Sequence, residues 1–330
     1  LTIIFTIVAI PYISLISVIS NDPKERLSAN GYRFFLVKVA AFLVTLVVPS
    51  LALYLGDGNM RDGYQPAMGL MAILGSILLL ISFFTTKERI KPVIEKTKFK
   101  EQAKLLFKND QWIILCIVLI FLMCSIAIKG SAVAYYAKYY LNGGDKLAFQ
   151  FFSTVAGASF LAMIASTWIT KFYCKIKLFR NSQILAFILC VAMYFLVGQD
   201  DVGLAFVFTF FIWFIAELYM PIFWSIIAEA IDYGHRKTGI RVSGLAFGGI
   251  AFCQKFGMGI AGGLLGYLLS YFKYQADVVQ SEFTLNGIAL LITIIPAVFH
   301  LGIGLFMYKY FITNKYYNEI ASDLKLIDSK

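Results

Sequence analysis

AEAIDYGHRKTGIRVSGLAFGGIAFCQKFGMGIAGGLLGY, residues 228 to 267, is the stretch whose reading decides the fold. It opens on Glu229 and Asp232, spaced i and i+3 and therefore on one face at a helix end. A short turn with His235, Arg236, Lys237 and Arg241 follows, and then an apolar run from Leu245 to Tyr271 broken by one charge, Lys255. A run of that length spans the hydrocarbon core of a bilayer. Lys255 lies about 13 residues inside it, too far for easy snorkelling, so its amine requires a carboxylate, a carbonyl, a cavity or a ligand. Around it, Gly259 with Gly263 and Gly262 with Gly266 give small-xxx-small spacings that let a neighbouring helix approach closely.

The same pattern extends outward through the whole chain. The composition is 60% hydrophobic and 15% charged, against roughly 25% charged for a soluble domain, and the mean hydropathy is +0.77. Apolar stretches read as spans at about 1 to 19, 34 to 55, 66 to 85, 111 to 141, 148 to 170, 183 to 198, 203 to 231, 242 to 272 and 284 to 312. Backbone amides in hydrocarbon must be paired within helices or a closed barrel, and runs this long without alternation are not barrel strands. The expected fold is an all-α membrane protein with nine transmembrane helices and no sizeable aqueous domain.

A net charge of +10 raises the question of nucleic acid, but the distribution of charge answers it. Of 29 basic residues, 22 lie in loops 20 to 33, 86 to 110, 171 to 182 and 232 to 241 and in the tail from Lys309. The alternate loops hold only Arg61, Lys146 and Lys273. This is the positive-inside pattern, so a multi-pass protein of the cell membrane, inner or plasma, with a cytoplasmic C-terminus and no nucleic-acid partner is expected. Nine crossings then place Leu1 outside, and an apolar start without Met or a basic n-region reads as a fragment rather than a signal peptide. The largest loop divides the chain into a partial N-terminal bundle at 1–85, a cytoplasmic central loop at 86–110, a C-terminal six-helix bundle at 111–313 and a cytoplasmic tail at 314–330. Three further leading helices would complete six plus six, the layout of transporters built from three-helix repeats.

Several polar or irregular features fall inside the spans. Pro11, Pro49, Pro221 and Pro296 each remove a backbone hydrogen bond and favour a kink. Glu217 lies one turn before Pro221 and two before Trp224, as a functional carboxylate or a buried interhelical hydrogen bond. Glu229, Asp232, Arg236 and Arg241 are expected to form a charge network across the cytoplasmic helix ends, the alternative being a solvated loop that sets topology. Lys129 and Lys138, with Tyr135, Tyr136, Tyr139 and Tyr140, read as an interfacial aromatic belt with snorkelling lysines, or as tyrosines lining a sugar path. The five cysteines show no CxxC pair, and the two histidines, His235 and His300, belong to no metal-binding or acyl-transfer pattern. No catalytic constellation, phosphate loop, metal site or cofactor is expected.

Placed in order, these residues resemble the glycoside-pentoside-hexuronide:cation symporters, the melibiose permease branch of the major facilitator superfamily. The resemblance rests on residues 228 to 267, on IPYISLISVISNDPKERLSANGYRF at 10 to 34, and on TKERI before the central loop with LFKNDQW after it. It implies the major facilitator fold, with the nine spans as family helices 4 to 12. It also implies a cation-coupled transporter of a glycoside, pentoside or hexuronide working by alternating access. By resemblance Arg33 takes the place of the sugar-site arginine, Lys255 that of the eleventh-helix lysine, and Thr6 that of a threonine linked with cation binding. Arg33, Lys255, Trp224, Glu217 and Tyr12 are the residues expected to face the substrate, Trp224 either stacking on a sugar ring or packing. Ala9 stands where melibiose permeases carry a sugar-binding aspartate, and Ile13 replaces an aromatic residue, which turns the expectation away from galactosides. Na+ and H+ both remain open as coupling ion. The implied partners are a small sugar, the cation and the lipid bilayer, and the alternatives are transport of a lipid-like amphiphile or a non-transporting membrane sensor.

Overall fold

The computed structural model describes residues 7–8, 11–12, 15, 19–20, 22–86 and 98–328. Every element among them is helical: α1 Pro23–Leu55, α2 Met60–Thr85, α3 Phe99–Phe107, α4 Asp110–Tyr135, α5 Gly144–Ile169 and α6 Lys175–Leu196, then α7 Val202–Glu217, α8 Met220–Thr238, α9 Ser243–Tyr271, α10 Glu282–Ile292, α11 Ile294–Tyr308 and α12 Asn314–Asp328. A π-helical turn, Tyr136–Tyr140, extends α4. Seven stretches of these helices are long and apolar enough to cross a membrane. The expected span at 1 to 19 falls largely outside the described residues, and that at 34 to 55 lies within the 33-residue α1.

The prolines act more strongly than the expected kinks at two places and less at a third. The span expected at 203 to 231 is two helices, parted at Leu218 and Tyr219, with Pro221 in the first turn of α8. The span expected at 284 to 312 is parted at Thr293, with Pro296 in the first turn of α11. A proline has no N–H to give and crowds the carbonyl four residues back, so it sits best where a helix begins. Pro49, by contrast, is carried inside an unbroken α1.

Bundling follows from which faces are apolar. In the C-terminal bundle α4 packs against α9, α11, α10 and α5, while α6 packs against α7 and α11. Buried Cys124, Ile128, Ala132, Phe151, Cys190 and Ile288 fill one core, and Trp112, Leu115, Phe179, Phe223, Ile226 and Phe247 the other. Helix α2 packs on α1 and turns Leu70, Ile73, Leu74, Ile77, Phe83 and Phe84 outward. A continuous apolar face of that kind suits hydrocarbon, where water would penalise it.

Helix α1 joins the leading part of the chain to the C-terminal bundle, packing on α8 and α5. Gly31 makes the second contact possible, because a Cβ there would lie 2.6 Å from Thr167 Oγ1. Phe35 meets Phe160 of α5 with ring centroids 5.3 Å apart, and Phe34 meets Trp224 of α8 at 6.2 Å. The segment expected as a tail is a folded helix, α12, whose Tyr317 and Ile320 are buried.

Candidate transport site

Where α1 meets α8, the Arg33 guanidinium is held among three aromatic rings: Tyr12 at 4.9 Å, Phe34 at 5.1 Å and Trp224 at 5.7 Å from its central carbon. Position i+1 puts Phe34 beside Arg33, and the start of α8 at Met220 puts Trp224 within its first turns. Arg33 Nε has no hydrogen-bond partner among the described residues. A planar cation stacked on rings, with an N–H still to satisfy, offers a sugar both flat apolar faces and a donor for hydroxyls. Three of the residues expected at the substrate, Tyr12, Arg33 and Trp224, are thus brought together.

A second cluster lies at the end of the bundle that carries the basic loops. Arg26, fully buried at the start of α1, donates from Nη1 to Asp232 Oδ2 at 3.1 Å and to Tyr317 Oη at 3.0 Å. Its Nε donates to the Ser20 carbonyl at 2.6 Å. Tyr317 in turn donates to Asp232 Oδ2 at 2.6 Å. Burial works against the Arg26 charge, but Asp232 and Tyr317 outweigh it and raise the guanidinium above its ordinary value. Burial first, and then the Asp232 carboxylate, push the Tyr317 phenol up, so it remains a donor.

The remaining charges follow the expected network only in part. Arg241 lies 3.0 Å from Asp232 Oδ1 as an ion pair without hydrogen-bond geometry. Glu229 pairs with the buried Lys175 at the start of α6. Arg236 turns away from the acidic pair to Asp323 of α12, 2.8 Å away, because the folded tail brings a carboxylate to it. Lys237 reaches Asp110 at 2.7 Å and ties α8 to the first turn of α4. Arg26, Lys175 and Tyr317 are members that sequence reasoning missed. The sequence signal for Arg26 was its place in the quoted NDPKER stretch, but its partner lies 206 residues away.

A third polar cluster lies inside the C-terminal bundle. Lys129 is 1% exposed, which corrects the expectation of a snorkelling lysine. Its Nζ sits 3.4 Å from His300 Nε2 and 4.4 Å from the centre of the Trp213 ring. Ser125 Oγ is 3.0 Å from the same His300 nitrogen, and His300 Nδ1 is 2.7 Å from Gln183 Oε1. Gln183 donates its amide to the Ala216 carbonyl at 2.9 Å, and Ser166 donates to the Leu218 carbonyl at 2.6 Å. These are carbonyls released where α7 gives way to α8, so the break is capped by side chains of α5 and α6. Glu217, 6% exposed at the end of α7, lies within electrostatic reach of Lys129 and Tyr219.

The other expected positions separate. Lys255 stands on an exposed face of α9 with Phe252 and Phe256. Lys138 lies 3.0 Å from Asp277 and 3.6 Å from Asp145. Thr6, Ala9 and Ile13 lie outside the described residues. No group of three metal-ligating side chains occurs among the described residues.

The chain belongs to the MFS/sugar transport protein family, whose pattern matches residues 1–314. It is 30% identical to the inner membrane symporter YicJ of Escherichia coli over 328 residues, covering 99% of this chain and 70% of that protein. It is 29% identical to the putative glycoside/cation symporter YagG of the same organism, covering 98% of this chain and 70% of that one. The isoprimeverose transporter of Lactiplantibacillus pentosus is 26% identical, with 92% of this chain and 63% of that protein covered. The crystal structure of the E. coli fucose:proton symporter FucP (N162A) superposes with a TM-score of 0.68 at 14% identity, over 90% of this chain and 72% of that one. The chain therefore has the all-α major facilitator fold, and its relatives are membrane transporters, not enzymes.

Proposed function

We propose that this protein is a secondary active transporter that carries a sugar or glycoside together with a cation by alternating access. The observation that carries the reading is the Arg33 guanidinium held among Tyr12, Phe34 and Trp224 where α1 meets α8. Aromatic faces stack on the C–H surfaces of a sugar ring, and the guanidinium donates to its hydroxyls. In this reading the nine spans are family helices 4 to 12, supported by coverage of 70% of the length of the similar symporters. The C-terminus is cytoplasmic by the distribution of Lys and Arg, and the membrane is the inner one by likeness to the inner membrane symporter YicJ. Lys255 remains a proposed substrate residue, and Thr6 a proposed cation residue. The cluster around Arg26 and Asp232 is then the cytoplasmic gate, closed in this structure.

Counterflow into proteoliposomes with labelled glycosides, pentosides and hexuronides tests the substrate class. Saturable exchange of at least one of them, with uphill accumulation under an imposed Na+ or H+ gradient, is the expected result. Exchange blocked by a lysophospholipid but by no sugar would replace the sugar with an amphiphile. Saturable binding without flux would leave a sensor in place of a symporter.

A further inference from the structure

Lys129, His300, Gln183 and Ser125 form a branched hydrogen-bonded circuit, centred on His300, that the sugar site and the gate do not use. The directions of the two hydrogen bonds made by Gln183 are fixed by its surroundings. Gln183 gives its amide N–H to the Ala216 carbonyl, so the atom it offers His300 is its oxygen. That oxygen accepts only from a protonated Nδ1, which fixes the imidazole tautomer. His300 Nε2 is then the bare nitrogen, and it faces Ser125 Oγ at 3.0 Å and Lys129 Nζ at 3.4 Å. Two buried bases therefore meet across one gap, both with side chains essentially inaccessible.

Such a pair holds one mobile proton. With the lysine charged, His300 Nε2 accepts from it; with the proton on the imidazole, the amine becomes neutral. Two cations 3.4 Å apart, even at an effective permittivity near 20, would disfavour a second proton by roughly a thousandfold. The groups that face the pair from the packed helices are few. Helix α7 brings the Trp213 ring, whose face favours the cation, and Glu217. Helix α6 brings Cys190 and the neutral Gln183, and Tyr219 stands by Glu217 at the break.

The circuit is also bonded to the helix break. Gln183 links His300 to the Ala216 carbonyl at the end of α7, and α8 beyond the break carries Trp224, Glu229 and Asp232. We infer that Lys129 and His300 form a proton-binding site in the C-terminal bundle, and that occupation of this site biases the α7–α8 break and so couples proton movement to the sugar site and gate. The proton enters from water on one side of the membrane and leaves to water on the other, with no covalent change. The binding half of this inference stands on the circuit alone, and the coupling half rests on the transport reading above.

The two halves are tested separately on the full chain. The first arm follows tryptophan emission of the purified protein between pH 5 and 9, since Lys129 lies over the Trp213 ring. A pH step is expected in the wild type, retained in Trp168→Phe and lost in Trp213→Phe, Lys129→Met and His300→Gln. Absence of a step, or a step that survives both Lys129→Met and His300→Gln, overturns the site. Glutamine at 300 can still donate to Gln183, so that variant carries the test if Lys129→Met fails to fold.

The second arm compares proton-driven accumulation of a transported glycoside with its exchange at equal pH. His300→Gln is expected to lower the ratio of accumulation to exchange at least tenfold. An unchanged ratio, or accumulation that responds only to a Na+ gradient, overturns the coupling. A wild type that exchanges no glycoside refutes the transport reading instead, and the emission titration still decides the proton site.

Discussion

Arg26 and Asp232 are 206 residues apart in the chain and 3.1 Å apart in the fold. The pair joins the first turn of α1 to the last turns of α8, and neither side chain has appreciable access to solvent. Breaking a buried pair by removing one partner costs about 3–5 kcal/mol, because a charge is left behind without compensation.

If the pair holds the proposed gate, removal of Asp232 should weaken it. In a background where Cys174 is the sole cysteine, Asp232→Asn and Arg26→Gln should each raise maleimide labelling of Cys174 at least tenfold. Cys174 lines the cavity beside Leu27 and Ser28 at this end of the bundle. Labelling at the wild-type rate would show that the pair does not hold the gate.

Arg33→Lys keeps the charge at the ring cluster but loses the planar fork and its stacking. Affinity for the transported sugar should fall about tenfold, or ~1–2 kcal/mol, with expression unchanged. Trp224→Phe should lose less than Trp224→Ala, because one flat face is kept. Competition binding across the three variants gives the order directly.

Gly31 allows α1 to meet α5, and a Cβ at that position would lie 2.6 Å from Thr167 Oγ1. Gly31→Ala should lower stability by about 1–3 kcal/mol through overpacking. Thr167→Ala, combined with it, should return most of the loss. Thermal unfolding in detergent of the single and double variants measures the coupling.

The helix break rests on two side chains, Ser166 and Gln183, that satisfy the Leu218 and Ala216 carbonyls. Ser166→Ala and Gln183→Leu should each cost about 1–3 kcal/mol, since a buried carbonyl loses its donor. Hydrogen exchange should rise first in the opening turn of α8. Exchange spread evenly over the bundle would count against the capping role.

Tyr317 adds a dependence on alkaline pH. Its folded pKa is raised above the unfolded value of about 10, by burial and by Asp232. The stabilisation from the neutral phenol is thus fully present below about pH 10 and is lost as pH rises through the folded value. The stability difference between wild type and Tyr317→Phe, followed from pH 8 to 11, should shrink only above about pH 10.

Much of the fold was legible because the bilayer imposes a simple rule on backbone amides, and length and hydropathy express that rule directly. The place of Arg33 was legible only through the family resemblance, whereas the acidic pair was legible from its i, i+3 spacing at a helix end. Lys129 and Lys255 show where such reading stops. Both are lone cations in apolar helices, and depth along the helix is all that sequence gives. Which face each presents is set by the partners of α4 and α9, and only packing shows that Lys129 is enclosed while Lys255 is exposed. Arg26, Lys175 and Tyr317 were missed because their partners lie on distant helices. Pro221 and Pro296 signalled irregularity, but not that Ser166 and Gln183 would cap the break before Pro221.

The docked last helix makes the gate unequal on its two sides. Asp232 is held by Tyr317 and Arg241 as well as by Arg26, and Asp323 fastens α12 to Arg236 of α8. If α12 travels with α8, separation strips Arg26 of Asp232 and Tyr317 at once and leaves the carboxylate with its other neighbours. The barrier to opening then includes the wetting of the Arg26 guanidinium beside the loss of the α1–α8 ring contact. Its height would be set from the leading half of the molecule, by how readily the backbone at Ser20 and incoming water replace what Arg26 gives up.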